Sequence, residues 1–182
     1  YFSTGRQLRR ELKARSAIGR EAEPYLEVGR YVPDELVLFL LMSRLEKHKG
    51  GWVLDGFPRT VPQSEDFDRF LGSRRQNLRA ILLEAPADEL ERRVSDRREC
   101  TMCSWTGTRT QARKSGGRCP SCGGELGQRD DDELENFRQR RKEFEELTLP
   151  VASYYEQSDR LLRVCGTGRP EEVFSRLQSH LA

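Results

Sequence analysis

The sequence predicts an α/β fold, a parallel sheet with helices on both faces, into which a small metal-binding subdomain is inserted. Short, continuous apolar runs recur along the chain, and segments with helical periodicity separate them. This alternation is typical of buried parallel strands joined by helices. By contrast, residues 100–127 are rich in Cys, Gly, Ser and Thr and have almost no aliphatic periodicity. They are predicted to form an insert without a hydrophobic core of its own.

The first half of the chain is mostly helical. Ser3 and Thr4 precede the first helical pattern in the manner of capping residues, and Gly29 stops the second. Pro33 stands where a first helical turn tolerates proline, and it opens the third helix. The predicted helices cover 6–15, 18–28, 34–48 and 62–71, and a buried strand covers 52–54.

The second half continues the alternation on either side of the insert. Strands are predicted at 80–83, which we expect to be buried, and at 161–164. The helices are predicted at 87–97, 131–147, 150–157 and 171–181. Cys165, which stands alone at a strand end, is predicted to be a small core residue.

Composition and charge exclude several classes of protein. The 182 residues are 35% hydrophobic, which suits one domain with an insert. Lys and Arg number 32 against 30 Asp and Glu, and a net charge of +2 is too balanced for a general nucleic-acid or membrane-surface binder. No apolar run reaches the roughly 20 residues of a membrane span, and no secretion signal opens the chain. We therefore expect a monomeric cytoplasmic protein that binds neither nucleic acid nor membrane.

The insert carries two C-x2-C pairs. They are formed by Cys100 with Cys103 and by Cys119 with Cys122. Two such pairs at this separation are typical of a four-thiolate zinc ribbon, in which metal binding replaces a missing core. Two disulfides are the alternative, which suits secreted chains better.

The segment 55–60 follows the first predicted strand and reads Asp-Gly-Phe-Pro-Arg-Thr. Ligands gather at such strand ends in parallel α/β sheets. The Asp55 carboxylate could reach a metal-bound water, Gly56 permits a tight turn, and Arg59 projects a guanidinium into the crevice. A simple Pro/Gly turn with a solvated arginine is the alternative.

This hexapeptide, with Gln63 after it, resembles adenylate kinase. Ser3-Thr4-Gly5 with Arg9, and the run 29–35, resemble the family's AMP-binding region. Arg93 and Arg97-Arg98 before the cysteines resemble one border of its mobile lid, and Gln128-Arg129-Asp130-Asp131 with Arg138 and Arg140 resemble the other. The four cysteines match the zinc-bearing lid of bacterial members, and Gly166-Thr167 also fits.

The resemblance implies a P-loop, nucleoside-monophosphate-kinase-like fold with a core at 1–97 and 131–182. It places an AMP-binding segment at about 4–33 and a zinc-binding lid at 98–130. The implied reaction is ATP + AMP ⇌ 2 ADP by direct in-line transfer, with Mg²⁺ accompanying ATP and Zn²⁺ structural. Such chemistry mainly requires positioning and neutralisation of charge.

The resemblance also implies residue roles. AMP would be bound by Thr4, Arg9, Arg30, Val32, Gly56, Arg59, Gln63, Arg129 and Arg140. ATP would be bound by Arg93, Arg97, Thr106 and Gly168. The catalytic set would be Arg59, Arg97, Arg129, Arg140 and Asp55, with Asp55 holding the water shell of magnesium. The zinc ligands would be Cys100, Cys103, Cys119 and Cys122.

The chain also departs from the family's pattern. It contains no G-x-x-x-x-G-K-[ST] loop, and residue 1 is Tyr, so we expect a fragment that is inactive as it stands. Arg6 stands where the family usually has Asp, Asp96 replaces a hinge glycine, and Gly107 replaces a frequent aromatic. The alternatives are a kinase for another base, an impaired AMP-binding protein and a zinc-ribbon nucleic-acid module.

Overall fold

The computed structural model describes residues 1–73, 77–103, 105–129 and 132–181. Four helices of the first half enclose the main apolar core: α1 (Thr4–Lys13), α2 (Ala17–Glu27), α3 (Asp34–Leu45) and α4 (Val61–Ser73). Their inward faces bury Leu8, Ala22, Leu41 and Phe67. Phe67 lies at the centre, and aromatic rings contact it edge-on from the segment between α3 and α4. The predicted helices are confirmed, with ends shifted by a few residues.

The main strands pair in parallel, as predicted. β1 (Phe2–Ser3) pairs with β2 (Leu54–Asp55), and β3 (Ala80–Glu84) pairs with β7 (Leu161–Cys165). In the described part of the chain they form two separate pairs rather than one sheet. The predicted burial of the strands at 52–54 and 80–83 is wrong, because Val53 is 64%, Ile81 is 42% and Leu83 is 52% exposed, and the first of these strands covers only Leu54–Asp55. Cys165 is also exposed, so its prediction as a core residue is wrong too.

The cysteine-rich insert forms a small antiparallel sheet. Helix α5 (Ala87–Asp96) leads directly into β4 (Arg97–Cys100), which pairs with β5 (Thr106–Thr108) on one side and β6 (Leu126–Gly127) on the other. A short helix, α6 (Arg109–Lys114), follows β5 and starts with a capping box between Thr108 and Gln111. Between 100 and 127 the buried residues are Cys100, Ala112 and Cys119 among those described. The insert thus has almost no apolar core, as predicted.

The last third of the chain is helical except for β7. Helix α7 (Leu134–Glu143) continues into a π-helix (Phe144–Thr148) and then α8 (Leu149–Glu156), and α9 (Pro170–Leu181) ends the described chain. The predicted helix over 131–147 therefore starts later and changes its winding at Phe144, while Asp130 and Asp131 lie outside the described residues. A bidentate ion pair between Arg160 and Asp68 ties the start of β7 to α4.

Local signals explain most helix ends. The side chain of Ser16 caps α2 by accepting from the Gly19 N–H at 3.0 Å, and Gly29 follows α2 with a φ of +68°. Ser3 occupies the N-cap of α1 but makes no capping bond, so that prediction is wrong in its detail. In the described part of the chain, no helix has both the length and the apolar character to cross a membrane.

Replacing Gly19 by alanine should destabilise the protein, because α1 and α2 touch at this residue. A Cβ there would lie 2.2 Å from the carbonyl oxygen of Glu11. We expect a loss of about 1–3 kcal/mol in the free energy of unfolding, as for other overpacked sites. Gly72→Ala is the matched control, because a Cβ there meets no atom of the described residues within 4 Å. Urea unfolding that shows equal stabilities for the two variants would contradict the packing argument.

Candidate nucleotide-binding site

One cleft collects most of the predicted AMP-binding residues. It is bounded by α1, the end of α2, the start of α3, the β2–α4 loop and α7. Eight of the nine predicted residues line it: Thr4, Arg9, Arg30, Val32, Gly56, Arg59, Gln63 and Arg140. Arg129 does not. Apolar side chains of Leu8, Leu26 and Val37 complete the wall, so the cleft combines an apolar surface with several guanidinium groups.

Thr4 brings a buried hydroxyl to this cleft. The residue is 5% exposed, and its Oγ1 atom has no hydrogen-bond partner within the described residues. Buried polar atoms are nearly always paired, so an orphaned hydroxyl at a cleft wall is available to pair with a ligand atom. Thr4 follows β1 directly, which fixes its position at the end of a strand.

Arg59 is held in one orientation by its own loop. Its backbone N–H donates to Gln63 Oε1 at 2.8 Å, and its Nε donates to the carbonyl of Gly56 at 2.9 Å. Gly56 has a φ of +73°, at which any other side chain would be strained, and a Cβ there would lie 2.9 Å from Arg59 Nη2 and so displace that guanidinium. Among the described residues, neither Nη atom of Arg59 carries a hydrogen bond. The guanidinium therefore offers a free fork of the shape that binds phosphate bidentately.

Gln63 is buried and already engaged. Its Nε2 donates to Asp34 Oδ1 at 2.6 Å, while Asp34 Oδ2 accepts from Thr60 Oγ1 at 2.6 Å. With Oε1 accepting from Arg59, the amide cannot be flipped without loss of both bonds. One N–H of the amide remains to meet a ligand.

A buried carboxylate gathers two of the predicted catalytic arginines. The Asp132 side chain is fully buried; it accepts two hydrogen bonds from Arg97, and Arg140 Nη2 lies 3.6 Å from its Oδ1. A second pair joins Arg129 to Glu99 on β4. Asp132 thus connects the first strand of the insert to α7, and it brings Arg97 close to the arginine that lines the cleft.

Asp55 lies at the carboxyl end of β2 and is exposed. It accepts a hydrogen bond from the Tyr1 hydroxyl at 2.7 Å, and burial together with this bond raises the pKa of Tyr1. The guanidinium of Arg6 lies 5.8 Å from the Tyr1 ring centre. The positive charge of Arg6, at a position where the family usually has Asp, therefore lies next to the ring of Tyr1, whose hydroxyl contacts Asp55.

The four predicted ATP-binding residues lie on four different elements. Arg93 on α5 donates to Glu89 at 2.7 Å, Thr106 begins β5 opposite Glu99, and Gly168 turns the β7–α9 loop with a φ of +96°. Arg97 and Thr106 share the small antiparallel sheet, but none of these four residues lines the cleft.

Gly107, the unusual residue of that sheet, makes room for an aromatic side chain. A Cβ at this position would lie 2.4 Å from Cζ2 of Trp105. Since residues 105 and 107 face the same side of the strand, the indole occupies the space that a side chain at 107 would take.

Four thiols converge in the insert. The Sγ atoms of Cys100, Cys103, Cys119 and Cys122 all lie within 4.8 Å of one another, and none is in a disulfide. Burial opposes ionisation of Cys100, but the N–H groups of Cys103 and Met102 donate to its sulfur and its pKa falls to about 6. Thiolate ligands are what a metal requires, so this donor set can hold a metal ion and fits a zinc-bearing lid.

Comparisons with known proteins agree with this architecture. The adenylate kinase family model matches residues 1–160. An adenylate kinase of Syntrophobacter fumaroxidans is 38% identical over 184 residues, covering 99% of this chain and 86% of the relative. An adenylate kinase of Thermosipho melanesiensis is 40% identical over 181 residues, with 97% and 85% covered, and one of Streptomyces coelicolor is 37% identical over 182 residues, with 97% and 83% covered.

Parallel strands, an arginine-lined cleft at their carboxyl ends and a cysteine-bearing insert define a nucleotide-binding phosphotransferase of the nucleoside monophosphate kinase class. Within that class, the chain belongs to the adenylate kinase family. The predicted family and fold class are thereby confirmed.

Two functional candidates escaped the sequence analysis. Asp132 belongs to a run of three aspartates, and nothing in the sequence of that run predicts that Asp132 is buried. Tyr31 looks like any aromatic residue before a helix, yet it lines the cleft and lies under Arg59. Both depend on contacts with residues more than 25 positions away, which local patterns do not reveal.

Proposed function

We propose that this protein catalyses ATP + AMP ⇌ 2 ADP by direct in-line transfer of a phosphoryl group. The cleft carries this proposal, because it combines the orphaned hydroxyl of Thr4 with the free guanidinium fork of Arg59. An apolar wall with one polar end suits a purine nucleotide whose phosphate points toward the arginines.

In this proposal the acceptor nucleotide lies in the cleft. Arg9 and Arg59 bind its phosphate, and Thr4, Val32 and Gln63 contact its nucleoside. Gly56 keeps the loop clear for Arg59, and Arg30 adds a cation at the cleft wall. The remaining N–H of Gln63 favours an acceptor atom on the base edge, which adenine supplies at N1.

ATP, the phosphoryl donor, is assigned to the part of the site that the insert covers. Arg97, Arg129 and Arg140 neutralise the transferring phosphoryl group, while Arg93, Thr106 and Gly168 bind ATP. We assign 98–130 as a lid that closes over a core formed by 1–97 and 131–182, with 4–33 as the AMP-binding segment. Closure expels water, which strengthens each arginine–phosphate contact and suppresses hydrolysis.

Two metal ions have separate roles in this proposal. Zn²⁺ is held by the four cysteines and replaces the apolar core that the lid lacks. Mg²⁺ bound with ATP would offset the charge of the phosphate groups. Asp55 orients waters at that ion, and its exposed position at a strand end supports the assignment.

The ATP phosphates need a cradle that the 182 residues do not contain, since no G-x-x-x-x-G-K-[ST] motif occurs in them. We propose that a strand and loop outside these residues supply it. β2 and β3 each have an edge without a strand partner in the described part of the chain, next to the exposed Val53, Ile81 and Leu83. The 182 residues alone should bind AMP without transferring phosphate.

We further propose a monomer that works in the cytoplasm. Four thiols placed for a metal rather than for disulfides suit a reducing compartment. Light scattering on the purified protein would test the monomer.

Arg59→Ala should abolish productive AMP binding. With the fork removed, we expect kcat/KM for AMP to fall about 100-fold or more, as when one preorganised transition-state donor is lost. Arg69→Ala is the control, since Arg69 lies on α4 with 71% of its side chain exposed and pairs with Asp66. The assay is ADP formation by the full-length protein, with GMP, CMP and UMP as competing acceptors. Equal rates for Arg59→Ala and Arg69→Ala, or preference for another base, would refute the proposal.

A further inference from the structure

We propose that Tyr31 is a positioning residue that holds Arg59 in its phosphate-binding orientation. This inference rests on the proposed function, in which Arg59 binds the AMP phosphate. It assigns a role to a side chain outside the set expected from the sequence, and the role is carried by three independent contacts.

The first contact is between the ring of Tyr31 and the guanidinium of Arg59. Cζ of Arg59 lies 4.7 Å from the ring centre, within the range of a cation–π interaction. Tyr31 is half-buried, and both residues line the cleft. Such a contact strengthens as water is removed. The ring covers one face of the guanidinium and leaves its edge open for a phosphate.

The second contact runs through the hydroxyl of Thr148, the last residue of the π-helix. Thr148 Oγ1 donates its only proton to the carbonyl oxygen of Arg59 at 3.0 Å. The 3.0 Å bond between Thr148 Oγ1 and Tyr31 Oη must therefore have Tyr31 as the donor. Tyr31 thus orients the hydroxyl that fixes the Arg59 backbone, while its ring supports the same residue's side chain.

The third contact anchors Tyr31 itself. Its backbone N–H donates to Glu143 Oε2 at 2.6 Å, and Gln139 donates to the other oxygen of that carboxylate. Glu143 is the last residue of α7, immediately before the π-helix. Tyr31 is therefore fixed at both its backbone and its hydroxyl to consecutive turns of one helical segment.

Together these contacts restrict Arg59 before any ligand arrives. An arginine side chain loses considerable rotamer freedom when it binds, and a residue already held loses less. The backbone N–H, the carbonyl, Nε and one face of the guanidinium are all fixed, which leaves the two Nη atoms to meet the phosphate. A leucine at position 31 could fill the space but could supply neither the ring face nor the donor.

The test compares Tyr31→Phe with Tyr31→Leu in the full chain, using calorimetric binding of AMP and steady-state kinetics. Loss of the hydroxyl alone should weaken AMP binding about 3-fold, and loss of ring and hydroxyl about 10-fold, in line with one hydrogen bond and one cation–π contact. The KM for ATP should change less than about 2-fold, a split that a general loss of structure would not give. Tyr25→Leu on α2 is the control, because that ring lies outside the cleft lining.

A double-mutant cycle separates positioning from simple packing. In an Arg59→Lys background, which lacks the planar guanidinium, Tyr31→Leu should weaken AMP binding less than about 2-fold. If Tyr31→Leu weakens binding equally in the Arg59→Lys background and in the parent, the inference is overturned and the proposed function stands. The same holds if Tyr31→Phe and Tyr31→Leu bind AMP like the parent while Arg59→Ala does not.

If Arg59→Ala itself binds AMP normally, the phosphate assignment fails as well as the inference. Should the leucine variant not fold, Tyr31→Phe with Thr148→Val decides. Tyr31→Phe loses one hydrogen bond and should weaken AMP binding about 3-fold, and Thr148→Val, which loses the bonds to both Tyr31 and Arg59, should weaken it at least as much. Parent-like AMP binding by both of these variants would overturn the positioning role of Tyr31.

Discussion

Asp132→Asn should lower both the free energy of unfolding and kcat. The substitution keeps the shape of the side chain but removes the charge that Arg97 and Arg140 face in a buried position. Breaking a buried ion pair from one side typically costs about 3–5 kcal/mol. We expect the lower end, about 3 kcal/mol, because each arginine keeps roughly a quarter of its side-chain surface exposed. The measurement is chemical denaturation of the purified variant.

The same variant should lower kcat by about 100-fold, because misplacing catalytic groups by about 1 Å can cost that much. Glu133→Gln is the matched control, since the neighbouring carboxylate is exposed and makes no capping bond for α7. A variant Asp132→Asn that is as stable and as active as Glu133→Gln would show that Asp132 does not organise the arginines.

Removing the metal should unfold the insert and leave the AMP cleft in place. Cys119 is buried and its sulfur lies 3.6 Å from that of Cys103, so Cys119→Ser deletes an inner ligand of the cluster. Structural zinc contributes about 10–16 kcal/mol of apparent binding energy in small zinc domains, and residues 97–127 have little else to hold them together. Hydrogen exchange in that range should rise to the rate of an unfolded chain, and phosphoryl transfer should become undetectable.

AMP affinity should meanwhile change only a few-fold, because every residue lining the cleft lies outside the insert. Chelation of the unsubstituted protein should reproduce the effect, and Cys165→Ser is the control because Cys165 is outside the cluster. Metal analysis should find one zinc per chain in the control and none in Cys119→Ser. Protection that persists over 97–127 after the metal is lost would overturn the role assigned to zinc.

Different interactions stabilise the AMP cleft and the insert. The AMP cleft is built on packed helices and hydrogen bonds, so single substitutions there should act locally on affinity. The insert has few buried side chains, so its order depends on four thiols and on the Asp132 contacts at its base. In the proposed function the lid would move as a unit while the cleft stays formed.

Local sequence patterns predicted many of the helices and many of the candidate site residues. Helical periodicity and the stop at Gly29 located α1 and α2, because a run of amphipathic residues and a left-handed glycine act over a few residues. The two C-x2-C pairs identified the metal cluster for the same reason, since each pair is a turn that carries its own ligands. Eight of nine predicted AMP residues line one cleft. Thr4, Gly56 and Arg59 are among them because they follow β1 and β2, two paired parallel strands whose carboxyl ends lie side by side.

The sequence by itself therefore determined the fold class, the family, the cluster of four cysteines and eight of the residues that line the cleft. Only the tertiary structure decided that Asp132 is buried, that Ile81 and Leu83 are exposed, and that the ring of Tyr31 lies against the guanidinium of Arg59. The physical reason is the sequence separation of the contacting residues. Burial and ion pairing depend on which distant segments meet, as when Thr148 reaches Arg59 across 89 positions, and no periodicity along the chain encodes such a meeting.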